Sequence, residues 1–245
     1  MADFAIVAEG ITDQIVLKNI ILAYYDEREP EPLIAFEQPP LDTTGTAGLP
    51  HAAGGWTLVV RYLSERKYRQ ALQFNQYVVV QIDSDIAAEL GVPRPLGCSD
   101  EAFVELIINK LCAHIHSADL VDVRGRLLFA IGFDEIECWL LPLIFDRSDK
   151  SMLAKDTGCL EAINHKLRRL NEDPLSTVSE GKDPMRYRRI SSRYRRRRQV
   201  ENAATNPGLA NFLQQLASCA LEPPEDPSED ASADSQPMPS GEPEA

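Results

Sequence analysis

The beginning of the chain constrains its fold more than any other stretch of the sequence. Residues 4–8 are all apolar, and Glu9 and Gly10 follow them directly. Such a run is typical of a buried strand, and Gly10 allows a tight turn after it. A helical pattern then opens, with Thr12 or Asp13 suited to cap it. The expected inner face of this helix carries Ile15, Val16, Asn19, Ile20 and Ala23.

Acidic residues follow two of the predicted strands. Glu9 and Asp13 come after the first strand, and Asp83 and Asp85 come after a second apolar run at residues 77–82. Open α/β sheets bind ligands at the carboxyl ends of their strands, so these acids are expected to share one crevice. An isolated Asp-x-Asp more simply caps a loop, but its pairing with Glu9 and Asp13 favours a metal site.

A cluster of carboxylates at one sheet edge has a definite electrostatic requirement. The groups repel one another and raise each other's pKa values unless a cation lies among them. Ligand sets made only of oxygen atoms suit Mg²⁺ or Mn²⁺. The sequence therefore predicts a magnesium or manganese cofactor.

Three short motifs resemble those of a known family. The Glu-Gly-x-x-Asp at residues 9–13 and the Asp-x-Asp at residues 83–85 are similar to the motifs of the Toprim domain, which topoisomerases, primases and OLD-family nucleases share. The Glu-Cys-Trp-Leu-Leu at residues 137–141 resembles a stretch of small stand-alone bacterial Toprim-like proteins. The resemblance covers roughly residues 3–145.

The resemblance implies a metal-dependent phosphodiester hydrolase, a nuclease acting on DNA or RNA. Glu9 would be the catalytic acid or base, or the first metal ligand. Asp83 and Asp85 would be catalytic metal ligands, with Asp13 as a supporting ligand. Glu137 is an acid directed into apolar surroundings, where it needs a partner such as a metal, a base or water. A structural ion pair with an arginine is an equally open alternative for Glu137.

The resemblance also implies partners and a cellular setting. Stand-alone Toprim-like proteins suggest a role in bacterial defence against phage, as the effector of an ATPase. That ATPase would be a separate chain, because no Walker motif is present. No basic leader and no apolar run of roughly 20 residues occur, so we expect a cytoplasmic protein without a membrane partner. The five widely spaced cysteines, without Cys-x-x-Cys, predict reduced thiols.

The alternation of strand and helix patterns predicts the fold class. It indicates an α/β, Rossmann-like protein with a mostly parallel sheet and helices on both faces. One helix is expected from Trp56 to about Leu72, and another from Asp134 until Pro142 ends it. The expected strands lie at residues 4–8, 33–36, 77–82 and 127–133.

Charge is segregated along the chain, whose net charge is −13. Residues 166–198 contain twelve Lys or Arg and four acids, whereas residues 222–245 contain eight acids and no base. We therefore expect a metal-dependent Toprim-like catalytic domain at 1–150 and a helical, basic, arginine-rich extension at 151–221. The acidic tail at 222–245 has too little apolar content to order itself.

The arginine-rich segment predicts a nucleic-acid surface, because arginines interleaved with tyrosines suit phosphate contact and stacking. The alternative is that its arginines pair with acids of residues 1–165 or of a partner. The predicted nucleic-acid-binding residues are Arg186, Arg188, Arg189, Arg193, Tyr194, Arg195, Arg196, Arg197 and Arg198.

Two other functions remain open at this level. The protein could be a non-catalytic module that binds nucleic acid or protein, with a structural or regulatory Toprim-like site. A nucleotidyl or phosphate transferase using the same ions is a further alternative. Substitution of Asp83 separates these, because cleavage should vanish with it and pure binding should persist.

Overall fold

The computed structural model describes residues 1–40, 55–177 and 181–221. The predicted acidic tail, 222–245, lies outside the described residues. Among the helices that are described, none combines the length and the apolar character that crossing a bilayer requires.

Four parallel strands form the main sheet, in the order β2-β1-β3-β4. The chain moves from β1 to β2 on one side and then to β3 on the other, so the strand order reverses at β1. A crevice is expected at such a switch point. An antiparallel pair, β5 and β6, forms a separate hairpin. The strands are β1 (Ala2–Val7), β2 (Ile34–Gln38), β3 (Asn75–Asp83), β4 (Leu127–Gly132), β5 (Ser176–Thr177) and β6 (Gly181–Lys182).

Helices cover both faces of this sheet, which confirms the predicted α/β class with a parallel sheet. Short 3₁₀ helices at Ser84–Ile86 and Ile136–Leu140 follow β3 and β4. The α-helices are α1 (Ile11–Tyr24), α2 (Trp56–Ser64), α3 (Tyr68–Phe74), α4 (Asp100–Cys112), α5 (Ser117–Val123), α6 (Leu141–Ile144), α7 (Lys150–Leu153), α8 (Cys159–Arg169), α9 (Pro184–Ser191), α10 (Arg197–Ala203) and α11 (Pro207–Ala217).

The two faces of the sheet have separate apolar cores. Successive side chains of a strand point to opposite faces, so Phe4 and Ile6 enter one core while Ala5 and Val7 enter the other. Helices α2 to α5 cover the second core. Helix α1 covers the first core together with α8 to α11. Helices of residues 151–221 thus form one layer of the fold.

Two of the predicted helices are interrupted in the structure. The helix expected from Trp56 to Leu72 is divided into α2 and α3. Arg66 lies between them with a positive φ of 60°, and its guanidinium donates to Asp119 Oδ1 at 2.7 Å. The helix expected from Asp134 is a 3₁₀ helix followed by the single turn of α6.

One pair of cysteines is joined, which corrects the prediction of reduced thiols. Cys138 and Cys159 form a disulfide with an S–S distance of 2.03 Å. It connects the 3₁₀ helix that carries Glu137 to the start of α8. The remaining cysteines are free thiols. The two cysteines are 21 residues apart in sequence, so they form no short motif from which the disulfide could be predicted.

Candidate active site

The predicted carboxylates meet at the carboxyl edge of the sheet. Glu9 follows β1 after one residue, and Asp83 is the last residue of the neighbouring strand β3. The backbone N–H of Asp83 donates to Glu9 Oε1 at 2.7 Å. Asp83 is 9% exposed and Glu137, from the turn after β4, is completely buried.

Asp13 joins this cluster from the first turn of α1, where it is 4% exposed. Helix α1 begins at Ile11 after Gly10 and has no side-chain cap, so Thr12 and Asp13 do not cap it as predicted. The Thr12 hydroxyl donates instead to Asp13 Oδ1 at 3.3 Å. The carboxylate of Asp13 also has a hydrogen bond with the backbone of Gly10, and its charge acts on Glu9 and Asp83 at the sheet edge.

Three acids of the cluster, Glu9, Asp13 and Asp83, have raised pKa values. Burial raises the pKa of Glu9 to about 7, against the hydrogen bond from Asp83 that lowers it. Burial also raises the pKa of Asp13 to about 6, although the charge of Lys182 lowers it. The pKa of Asp83 lies well above its ordinary value, because of burial and of the charges of Asp13 and Glu137. We call Glu9, Asp13, Asp83 and Glu137 the acidic centre.

Gln81 is a site residue that the sequence analysis missed. It lies in β3 with no exposed surface. Its Oε1 accepts the backbone N–H of Glu9 at 3.1 Å, and its Nε2 donates to Asp83 Oδ1 at 2.9 Å. Gln81 thus holds two acids of adjacent strands in register. The sequence did contain a signal for Gln81, because a single amide within a buried apolar run needs a specific hydrogen-bond partner.

Lys182 and Tyr187 are further site residues that the sequence analysis missed. Lys182 Nζ lies 2.7 Å from Glu137 Oε1, and the Tyr187 hydroxyl donates to the same oxygen. Burial lowers the pKa of Lys182, but the charges of Glu137 and Asp13 outweigh it and raise that pKa. The side chain of Lys182 is 39% exposed, with its ammonium end against the acid. The partner of Glu137 is thus a lysine and a tyrosine rather than the arginine considered from sequence.

Asp85 occupies a different position from Asp83. The strand ends at Asp83, and Ser84–Ile86 form a 3₁₀ turn, so the two-residue alternation that would align the acids stops there. Asp85 is exposed at the rim of the acidic centre. Burial and the charge of Asp134 raise the pKa of Asp85. The structure thus corrects the expectation that Asp83 and Asp85 project to the same side.

The donor chemistry of the acidic centre fits a divalent cation. Its donors are carboxylate oxygens, the ligands that Mg²⁺ and Mn²⁺ prefer. Glu137 Oε2 is a buried acceptor without a hydrogen bond among the described residues. Within the described ranges, however, no three His, Cys, Asp or Glu side chains are arranged to hold a metal ion. Among the described residues, Lys182 is the cation within ion-pairing distance of Glu137, and its charge also acts on Asp13 and Asp83.

Gly132, the last residue of β4, allows Asp83 to approach closely. A Cβ atom added to Gly132 would lie 2.1 Å from Asp83 Oδ1 and 2.8 Å from the backbone nitrogen of Ile136. Neither distance is compatible with a real side chain. We therefore expect Gly132→Ala to displace Asp83 and to lower the free energy of unfolding by about 2–3 kcal/mol.

Urea unfolding of Gly132→Ala measures this effect, and Gly125→Ala is the matched control. A Cβ atom at Gly125 meets nothing within 4 Å. Gly125→Ala should therefore unfold close to the parent midpoint. Equal midpoints for the two variants would show that the Gly132 contact is not tight.

The predicted nucleic-acid-binding residues are divided among several environments. Tyr194 is 4% exposed, and its hydroxyl donates to the carbonyl oxygen of Trp139 at 2.6 Å. Its ring is therefore part of the core, which corrects the stacking role expected from sequence. Arg189 and Arg193 lie 3.6 and 3.4 Å from Glu172. Within the part of the chain that the structure describes, Arg186 also pairs with Asp183, and Arg197 pairs with Glu201.

The C-terminal arginines lie far from the acidic centre. Helix α1 starts beside Glu9 and is 14 residues long, which corresponds to about 21 Å. Arg197 packs on the ring of Tyr24, the last residue of α1, at 4.3 Å from the ring centre. Its backbone N–H donates to Asp26 Oδ1 at 3.2 Å. The cluster Arg195–Arg198 therefore lies at the end of α1 opposite to the predicted catalytic acids.

Comparisons with known proteins add no family to this description. Searches with protein-family models, among curated proteins and among solved structures each found no match to the chain. The Toprim resemblance rests on the residues of the motifs alone, and it stays a prediction. The α/β fold with a parallel sheet is shown by the structure itself.

Proposed function

We propose that the protein is a metal-dependent phosphodiester hydrolase, a nuclease. The observation that carries the proposal is the convergence of Glu9, Asp13 and Asp83 at the point where the strand order reverses. Buried acids that raise each other's pKa values are costly for a fold to keep, and such groups concentrate at functional sites. Mg²⁺ or Mn²⁺ would offset their repulsion if the three carboxylates turned to ligate it, since among the described residues they do not form a ligand set as they stand.

Each residue of the site has a separate role in the proposed reaction. A bound divalent ion would supply Lewis-acid chemistry and neutralise a phosphodiester. Glu9, which accepts the N–H of Asp83, would move a proton as general acid or base. Gln81 keeps Asp83 and Glu9 aligned. Lys182 balances the charge of Glu137, which supports the turn after β4.

A cleavage assay tests this proposal. Plasmid, linear duplex, single-stranded DNA and tRNA are incubated with the full chain in Mg²⁺ or Mn²⁺, beside Asp83→Asn and the control Asp122→Asn. Asp122 is exposed, on α5. We expect cleavage that needs the metal and falls about 10³-fold or more in Asp83→Asn, because this change would remove a proposed metal ligand and its charge. Equal cleavage by Asp83→Asn and the parent would refute the proposal.

The cellular role is a finer proposal that follows from the same resemblance. Residues 137–141 support a nuclease of a bacterial anti-phage system, acting as effector of a separate ATPase chain. The expected cytoplasmic location belongs to this proposal. Reconstitution with a candidate ATPase would test the dependence, since that partner should raise cleavage above the level of the chain alone.

The ion pair of Lys182 and Glu137 favours one second candidate, a binding module without catalysis. An acidic centre already neutralised by a lysine can serve structure alone. Such a module would bind nucleic acid but would cleave none of the four substrates with either metal. Its Asp83→Asn variant would bind nucleic acid with the same affinity as the parent.

A further inference from the structure

A cleft that the proposed mechanism does not use borders the acidic centre. Its volume is about 470 Å³, and Glu135, Arg168 and strand β5 contribute to its walls. Burial raises the pKa of Glu135, the hydrogen bond from the Leu160 backbone lowers it, and the nearby charge of Glu137 raises it again. Ser176 of β5 pairs directly with Lys182. One end of this cleft therefore lies against the acidic centre.

A second cleft continues from the first around α8. Its volume is about 430 Å³, and it shares Gly158 and Glu161 with the first cleft. Three cations, Lys155, Lys166 and Arg169, line it together with His165, against the carboxylates Asp149 and Glu161. The two clefts therefore form one path along α8, which we call the α8 path, and its positive charge increases away from the acidic centre.

The cations of the α8 path are available to a ligand. Among the described residues, Lys155, Arg168 and Arg169 have no carboxylate within ion-pairing distance. Arg168 and Arg169 are exposed. This contrasts with Arg189 and Arg193, which Glu172 already engages. Unpaired cations beside a hydrolytic centre are suited to bind phosphate groups.

The apolar part of the α8 path is suited to contact the bases of a nucleic acid. Phe145 and Met152 line the second cleft, and the Lys166 ammonium lies 5.6 Å from the ring centre of Phe145. Sites for single-stranded nucleic acid combine a basic groove with aromatic side chains that contact bases. Volumes of this size are those of small-ligand sites, so the path suits an extended single strand and not a duplex.

We propose that a single-stranded nucleic acid lies along the α8 path, with its phosphates on Lys155, Arg168 and Arg169 and one end in the acidic centre. This inference rests on the proposed function. The cluster Arg195–Arg198 cannot position a phosphate at the acidic centre, because it lies about 21 Å away along α1. The common chemistry is the phosphodiester backbone, which DNA and RNA share.

Binding measured without cleavage tests the α8 path. Labelled single strands of about 12 nucleotides, one DNA and one RNA, are titrated with the full chain in EDTA and read by fluorescence anisotropy. The test variant carries Lys155→Gln, Arg168→Gln and Arg169→Gln. The matched control carries Arg61→Gln, Lys110→Gln and Arg124→Gln, which remove the same charge from α2, α4 and the end of α5 on the other face of the sheet.

We expect the α8 variant to raise the Kd about tenfold or more for at least one of the two strands. Its slope of log K against log salt should be shallower by about 0.7 for each lost phosphate contact. The control should change the Kd less than about threefold. An α8 variant with the parent Kd, or a control that loses as much affinity, would overturn the inference. Displacement by an unlabelled duplex as effective as by a single strand would also overturn it.

The outcome is separable from that of the cleavage assay. Lost binding in the α8 variant without any cleavage by the parent would refute the nuclease and keep the α8 path. Cleavage by the parent, together with binding by the α8 variant at the parent Kd, would support the nuclease and refute the α8 path. Thermal unfolding of both triple variants within about 3 °C of the parent verifies that they fold.

Discussion

Replacing Lys182, whose side chain is 39% exposed, with methionine is expected to lower the free energy of unfolding by about 3 kcal/mol. Glu137 is completely buried, and Lys182 Nζ at 2.7 Å from its Oε1 supplies its positive charge. Methionine keeps the length of the side chain but removes that charge. The carboxylate would then keep only the hydrogen bond from Tyr187, which does not compensate a buried charge.

A double-mutant cycle with Glu137→Gln isolates this interaction. Glutamine still accepts the Tyr187 hydroxyl but carries no charge. The double variant should therefore lose less stability than the sum of the single losses, with a coupling of about 2 kcal/mol. Urea unfolding at pH 8 measures all four proteins. Losses that add within about 0.5 kcal/mol would contradict the ion pair.

The acidic centre should also make the protein less stable as the pH rises. The pKa of Glu9 is raised to about 7 and that of Asp13 to about 6. The folded chain therefore binds these protons more tightly than the unfolded chain. Their contribution to stability is complete below the ordinary carboxyl pKa of about 4, and it is lost as the pH rises through about 6 to 7.

Glu9→Gln should accordingly be more stable than the parent at pH 8 by about 2 kcal/mol, with a flatter profile between pH 5 and 8. Glutamine still accepts the N–H of Asp83. The exposed Glu89 provides the control, since Glu89→Gln should follow the parent profile. Urea unfolding at several pH values, in EDTA, measures the difference. A Glu9→Gln profile parallel to that of the parent would contradict the raised pKa.

The local parts of the fold could be predicted from sequence. The apolar run before Glu9 and the run before Asp83 marked two adjacent parallel strands, because burial on both faces leaves a continuous apolar signal. The turn at Gly10 and the meeting of Asp13 with these acids followed from the same reasoning. Each of these features depends on residues within one strand–turn–helix unit.

Features that depend on distant parts of the chain could not be predicted. Lys182 reaches Glu137 from a hairpin 45 residues later, and no sequence period marks such a contact. Tyr187 did carry a signal, because its spacing with Ile190 and Tyr194 is that of a helix face. The arginine composition of the segment hid that face.

Asp85 shows a different limit. Its prediction depended on extended geometry continuing for two residues beyond Asp83, whereas the chain turns immediately after the strand. Element boundaries are the least certain part of a sequence reading. The composition of the arginine cluster predicted its positive charge. It did not predict that the cluster lies at the end of α1 far from the acidic centre.

We propose that Glu9, Asp13 and Asp83 bind a divalent cation. Calorimetric titration of the full chain with Mn²⁺ at pH 8 tests it most directly, beside Asp83→Asn and the exposed control Asp122→Asn. We predict saturable binding by the parent and the control, with an affinity about tenfold or more weaker in Asp83→Asn. No saturable binding by the parent, or the same affinity in Asp83→Asn, would contradict the claim.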